Sequence, residues 1–274
     1  MKVVLFCGGQ GLRIREYSGL TPKPLVEIGS RPILWHLMQY YAHFGHREFI
    51  LCLGYRGEAI EQYFLDHDEA PSSGIVRTSG ASQLTLHHRD LEDWKITFVD
   101  TGLEANVGQR LKSVERYVGQ DEMFLANYAD GLSDLALPDY LGDFQQHGTI
   151  AAFLSVRLRQ TFHVVSSDAS GVVNGICSVT DLDLWMNGGF FAFRRQIFDY
   201  LGDGEELVEA PFHRLMAQKQ LMTRRHLGFW ACMDTFKDKQ LFDEMNARSD
   251  APWEVWRKPS KERAKDDARA YSVS

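Results

Sequence analysis

The chain opens on an unbroken apolar run, Val3-Val4-Leu5-Phe6-Cys7, that passes directly into Gly8-Gly9-Gln10-Gly11. The run reads as a buried strand. The glycines that end it can take positive φ and bring bare backbone N–H groups close to an anion. Arg13, Arg15 and then Lys23, set between Pro22 and Pro24, add fixed positive charge beside that turn. The net charge of the whole chain is −7. An acidic protein that binds a polyanion must concentrate its cations locally, and this segment does so.

Two other phosphate-binding loops are excluded by the residues after the glycines. A P-loop would end in Gly-Lys-Ser/Thr, which is absent. A dinucleotide loop would start a helix at once, whereas Tyr17 to Pro22 delays it. The first amphipathic stripe is Ile33, Leu34, Leu37, Met38, Tyr41 and Phe44, which predicts a helix opening at Pro32.

Strand-like runs recur at 2–7, 48–53, 95–100, 123–127, 150–156 and 189–193, with helical patterns at 32–44, 57–66, 107–117 and 138–147. That alternation predicts an α/β fold, a wound, mostly parallel sheet flanked by helices. Residues 84–100 read as two strands, which adds an antiparallel pair and makes the sheet mixed. After 195 the pattern is helix, helix, short strand, helix. Residues 1–256 read as one domain and 257–274 as a charged tail.

The acidic balance argues against nucleic acid as a partner. No apolar run approaches the roughly 20 residues that span a bilayer, and the opening has no signal-peptide pattern. Cys7, Cys52, Cys177 and Cys232 are far apart and form no C-x-x-C pair, so they read as reduced cysteines of a cytoplasmic protein.

Phosphate chemistry also calls for a cation. Asp130, after the strand 123–127, and Asp234, after Phe229 to Met233, both fall at strand ends, where this fold class places its ligands. Hard oxygen donors of this kind suit Mg²⁺. A turn residue before Gly131 and a helix N-cap are the bland alternatives for the two. His87-His88 alternates across a strand and cannot chelate one ion. Tyr40-Tyr41 and Phe190-Phe191 read as core.

With these residues in view, the chain resembles the sugar-1-phosphate nucleotidyltransferases, most closely the glucose-1-phosphate cytidylyltransferases. The resemblance runs from residue 1 to about 256. It is carried by GGQGLR, TPKPLVEIGSRPILWH, LGYRG, HHRDLEDWKITFVDTG, GQRLKSV, YADGLSDL, MNGGFF, FWACMDT and APWEVW. It implies a Rossmann-like mixed sheet and Mg²⁺-dependent attack of a sugar 1-phosphate on CTP, with pyrophosphate released and a CDP-sugar formed. It implies that Phe6, Gly8, Gly9, Gly11, Arg13 and Lys23 meet the nucleotide, with Gly108 and Arg110 near the base. Asp130 and Asp234 would bind the metal. Tyr128, Asn187 and Gly188 would meet the sugar. Relatives of this kind form homo-oligomers.

Three positions depart from that pattern. Leu12 stands for the usual threonine, and Phe162-His163 for a Phe-Gly pair. The stretch Cys177-Ser178-Val179-Thr180-Asp181 replaces a Glu-Lys-Pro segment whose lysine meets the sugar phosphate. No lysine lies between Lys112 and Lys219. Arg157, Arg159 and Arg194 are the candidates to replace it. An acceptor other than glucose 1-phosphate, a degenerate nucleotide-binding homologue, use of UTP or dTTP, and a metal-dependent glycosyltransferase stay open at this level.

Overall fold

The computed structural model describes residues 1–9, 21–66, 76–78, 81–88, 91–158 and 162–257. Among the described residues, strand β1 (Lys2–Phe6) lies inside a ten-stranded sheet. It pairs in parallel with β2 (Glu48–Leu53) on one side and, on the other, with the strand Met123–Tyr128. Helices α1 (Ile33–His43) and α2 (Gly57–Asp66) flank β2 in sequence. Beyond β2 come β3 (Val76–Thr78), β4 (Ala81–His88) and β5 (Leu91–Asp100). β5 is parallel to β2, β4 is antiparallel to β5, and β3 to β4. The antiparallel pair expected in 84–100 is the β4–β5 hairpin.

Alternate residues of β1 serve different cores. Val3 and Leu5 join the cluster with α1, while Val4 and Phe6 join the cluster with Leu111, Phe191 and Phe212. A strand covered on both faces has no solvent side, which is why its sequence is apolar throughout rather than alternating. Tyr40, Tyr41, Phe190 and Phe191 are all buried, as their doublets suggested.

The second half supplies α3 (Val107–Ser113), β6 (Met123–Tyr128), β7 (Gly131–Ser133), α4 (Leu137–His147) and β8 (Ala151–Arg157). Then come β9 (His163–Ser167), β10 (Val173–Ser178), β11 (Trp185–Asn187), β12 (Phe191–Arg194), α5 (Ala210–Ala217), β13 (Leu221–His226), β14 (Trp230–Cys232) and α6 (Phe236–Ala247). β12 runs antiparallel to β6, and β8 antiparallel to β12 and β11. β13 runs parallel to β8.

Four details differ from the sequence reading. α1 begins at Ile33 with Pro32 as its N-cap. The helix expected over 107–117 breaks at Val114, and a separate turn, Glu115–Val118, follows. The last third of the chain holds two strands after α5 rather than one, because β13 is an edge strand whose sequence, Leu-Met-Thr-Arg-Arg-His, is polar on its open side. β9 and β10 form a hairpin apart from the main sheet, turned by Asp168, whose carboxylate accepts from the N–H of Ser170 and Val172. The tail 258–274 lies outside the described residues.

Candidate active site

Strand register fixes the floor of the site. Phe6 is opposite both Cys52 on β2 and Tyr128 on β6, so three strand ends form one rank. Gly8, Gly54 and Asp130 each lie two residues past it. Arg110, buried on α3, closes the rank from below. Its guanidinium donates to the carbonyls of Gly8 (3.1 Å), Leu53 (3.1 Å), Gly102 (3.0 Å) and Leu103 (3.3 Å), and to Thr101 Oγ1 (2.7 Å). A Cβ on Gly8 would stand 2.0 Å from that guanidinium, so any side chain there would have to displace Arg110 from its carbonyl partners. A Cβ on Gly54 would stand 2.8 Å from the Gly8 carbonyl. Close packing at the strand ends therefore favours glycine at both positions.

Arg110 and Gly108 were expected near a base. Arg110 does line the cavity, but its donors are turned to main-chain carbonyls. Gly108 packs on the Glu205 carbonyl, which a Cβ would approach to 2.2 Å. Both help to hold the cavity wall in place.

Above this floor is a cavity of about 240 Å³ lined by Phe6, Gly8, Gly9, Lys23, Tyr128 and Asp130 among others. Lys23 starts a short 3₁₀ turn, Lys23–Leu25, directed by the prolines on either side. Its ammonium bridges two carboxylates, at 2.5 Å from Asp130 Oδ2 and 2.6 Å from Asp234 Oδ1. Burial alone would lower its pKa, but the charges and hydrogen bonds of Asp130 and Asp234 outweigh that and raise it.

The aspartates are far apart in sequence, and one small ribbon joins them. β7 pairs antiparallel with β14, Gly131 opposite Cys232, and the Met233 N–H donates to the Asp130 carbonyl at 2.9 Å. Asp234 is not the helix cap. Thr235 takes that role for α6, in a capping box with Asp238, which leaves the Asp234 carboxylate to face Lys23. The Cys232 thiol donates to Asp234 at 3.4 Å and is pushed up to about 12, by burial first and by Asp234 next.

On the other flank, Asn187 Nδ2 donates to the Tyr128 hydroxyl at 3.3 Å, and burial pushes that hydroxyl up to about 12. Asn187-Gly188-Gly189 is a tight turn. Gly189 has φ +74°, and a Cβ there would lie 2.4 Å from Asn127 Oδ1. That same oxygen accepts from the Phe190 N–H. The Gly188 carbonyl accepts from Trp230 Nε1 at 2.8 Å.

Of the proposed lysine replacements, Arg157 is on the correct end of β8, paired with Trp185. Arg194 is not. It pairs with Met123 at the start of β6, the opposite end of the sheet from Asp130, and is held there by Thr149 and Glu122. Gly11, Arg13 and Arg159 lie outside the described residues. Two departures, at 162–163 and 177–181, meet at the foot of the β9–β10 hairpin, where His163 faces Ser178 and the Val179 N–H donates to the Phe162 carbonyl. Sequence reasoning missed Gly54 and Asn127. Gly54 was legible in Leu-Gly-Tyr-Arg-Gly as a glycine at a strand end.

Residues 2–237 match the model of a family described as nucleotidyl transferase. The chain belongs to that family. This nucleotidyltransferase is 35% identical over 257 residues, 93% of itself and 100% of its relative, to a Salmonella typhi glucose-1-phosphate cytidylyltransferase. It is 36% identical over 258 residues, again 93% and 100%, to a Bacillus subtilis (strain 168) protein named probable glucose-1-phosphate cytidylyltransferase. Among solved structures, a UDP-glucose pyrophosphorylase complexed with UDP-glucose aligns with TM-score 0.65 at 14% identity, covering 90% of this chain and 98% of that one. HddC from Yersinia pseudotuberculosis aligns with TM-score 0.62 at 18% identity, covering 89% and 99%. At such identities these two establish the nucleotidyltransferase's fold alone. Among its described residues no helix is long and apolar enough to cross a membrane.

Proposed function

We propose that this nucleotidyltransferase is a sugar-1-phosphate cytidylyltransferase. It transfers a cytidylyl group from CTP to a sugar 1-phosphate, giving a CDP-sugar and pyrophosphate. The observation that carries the reading is the convergence of Lys23, Asp130 and Asp234 at the mouth of a glycine-floored cavity. Identity to the cytidylyltransferase relatives along almost the whole chain supports CTP as the donor.

In this reading the Gly8 and Gly9 backbone, with Arg13 and Gly11, holds the nucleotide phosphates. A phosphate oxygen of the sugar 1-phosphate attacks the α-phosphorus. A new P–O bond forms there as the bond to the bridging oxygen of the β-phosphate breaks, and pyrophosphate leaves with that electron pair. The nucleophile is already an anion, so no general base is needed. Lys23 neutralises charge at the α-phosphate, and the site works by positioning and electrostatics. Asn187 and Tyr128 position the sugar.

The two carboxylates fit a divalent cation. They are hard oxygen donors that already converge on one positive centre, the Lys23 ammonium. Asp130 and Asp234 would hold Mg²⁺, which supplies charge neutralisation on phosphate oxygens.

A homo-oligomer is the proposed assembly. Phe162 (64%), Val165 (56%), Val173 (53%) and Ile176 (65%) leave the β9–β10 hairpin apolar and uncovered. Residues 1–256 as one catalytic domain and a cytoplasmic setting complete the proposal; the four free cysteines suit a reducing compartment.

The test is pyrophosphate release with CTP, UTP, dTTP, ATP or GTP against a panel of sugar 1-phosphates. Release with CTP is expected, and Asp130→Ala and Asp234→Ala should each abolish it. Near-normal turnover in both variants would sink the site assignment.

A further inference from the structure

The acceptor flank carries a cationic feature beside the residues that would meet the sugar. Arg157 at the end of β8 and Arg225 on β13 both lay their guanidinium groups over one indole. Arg225 Cζ is 4.8 Å and Arg157 Cζ 5.5 Å from the Trp185 ring centre. Trp185 is anchored in turn, because its Nε1 donates to Asp183 at 2.7 Å. Asp183 also lies 3.6 Å from Arg157 and so offsets one of the two charges. Arg225 has no carboxylate partner among the described residues. It is exposed, and so is Arg157.

Register places this shelf relative to the site. Arg157 is opposite Trp185, and Ser155 is opposite both Asn187 and Arg225, so all five positions fall on one face of the sheet. Asn187 on that face reaches the Tyr128 hydroxyl at the cavity wall. Trp185 is two residues further along the same strand, about 7 Å away at 3.3–3.4 Å per residue. A sugar whose reacting phosphate lies by Lys23 and whose hydroxyls meet Asn187 would present its far side to the shelf.

We propose that Arg157 and Arg225, held over Trp185, form a seat for a second anionic group on the acceptor, remote from the phosphate that reacts. This rests on the transferase reading above. The substrate class is then a sugar 1-phosphate that also bears a phosphate or a carboxylate. A surplus of positive charge against an aromatic ring suits planar, bidentate recognition of either group.

The full chain with Mg²⁺ and CTP is assayed with glucose 1-phosphate, glucose 1,6-bisphosphate and glucuronic acid 1-phosphate. At least one doubly charged acceptor should exceed glucose 1-phosphate about tenfold in kcat/KM, the scale of one charge-assisted contact. Whichever of the two leads identifies phosphate or carboxylate as the group. Arg225→Ala should lose that ratio and Arg225→Lys should keep part of it, with unaltered CTP affinity showing that both are folded. Equal kcat/KM for all three acceptors, or a ratio that survives in Arg225→Ala, overturns the proposal. If no acceptor turns over, the transferase reading fails, and calorimetry judges the seat. Glucose 1,6-bisphosphate binding about tenfold tighter than glucose 1-phosphate, and losing that margin in Arg225→Ala, supports it. Equal affinities refute it.

Discussion

Replacing Lys23 by methionine leaves an unbranched side chain one atom shorter and removes the ammonium with its charge and its two hydrogen bonds. In the native site that charge lies within 2.6 Å of an oxygen of each aspartate, and the lysine side chain is 13% exposed. Two carboxylates that share one ammonium are no more than about 5 Å apart, and at an effective dielectric near 20 such charges repel by roughly 3 kcal/mol. Solvent reaches Asp130 (27%) and Asp234 (39%), which reduces the cost to about 1.5 kcal/mol. For a chain of this size that is a fall of about 3–6 °C in Tm. The assay is thermal unfolding followed by circular dichroism, in EDTA and again with millimolar Mg²⁺. Lys23→Met should melt several degrees below the parent chain in EDTA, and Mg²⁺ should recover most of the loss. Because the Lys23 pKa is raised, its stabilisation is present at every pH below the ordinary lysine value of 10.5. It is lost only as pH rises through the higher folded value. The gap between the two proteins should therefore not close between neutral pH and 10.5. Equal melting in EDTA would show that Lys23 does not hold the carboxylates together. A gap that Mg²⁺ leaves untouched would show that metal and ammonium do not share one point.

Arg110→Met should cost at least about 3 kcal/mol in urea unfolding, since it strands several main-chain carbonyls at roughly 1–3 kcal/mol each. Arg110→Lys should recover little, as one ammonium cannot span them. Burial pushes His36 down to about 4 from 6.5, so the folded chain keeps it neutral while the unfolded chain takes up a proton. Stability should fall as pH drops from 6.5 towards 4, and His36→Gln should flatten that part of the profile. Burial raises the Cys7 thiol and pushes Cys52 up to about 12, and Cys232 is likewise about 12. Iodoacetamide at neutral pH should label Cys177 first in the native protein, with the other three reacting only on unfolding, as peptide mass spectrometry would report. Phe162→Asp with Ile176→Asp should shift sedimentation towards the monomer; an unchanged species would remove the hairpin from the interface.

The central strands were legible because burial on both faces leaves apolar runs that no other element imitates. Asp130 and Asp234 were legible as strand ends and as partners at one cation, but the route by which they meet was not. It depends on β7 pairing with β14, two three-residue strands far apart in sequence. The work of Arg110 was hidden for a different reason. Its partners are carbonyl oxygens, which every residue carries, so no spacing announces them. Arg194 was misplaced because nearness to Asn187 in sequence says nothing of strand polarity. The run of β12 antiparallel to β6 carried it to the far end of the sheet.

The reach of Arg110 has a consequence for how such a protein can change. One guanidinium fastens the ends of β1, β2 and β5 together, so a substitution there must answer to several main-chain oxygens at once. The acceptor flank rests instead on β8, β11 and β13 at the sheet's margin and on a hairpin set apart from it. Mutational drift is therefore cheap on one side of the cavity and expensive on the other. In the proposed reading, substitutions that retune the sugar side leave the side that holds the triphosphate undisturbed.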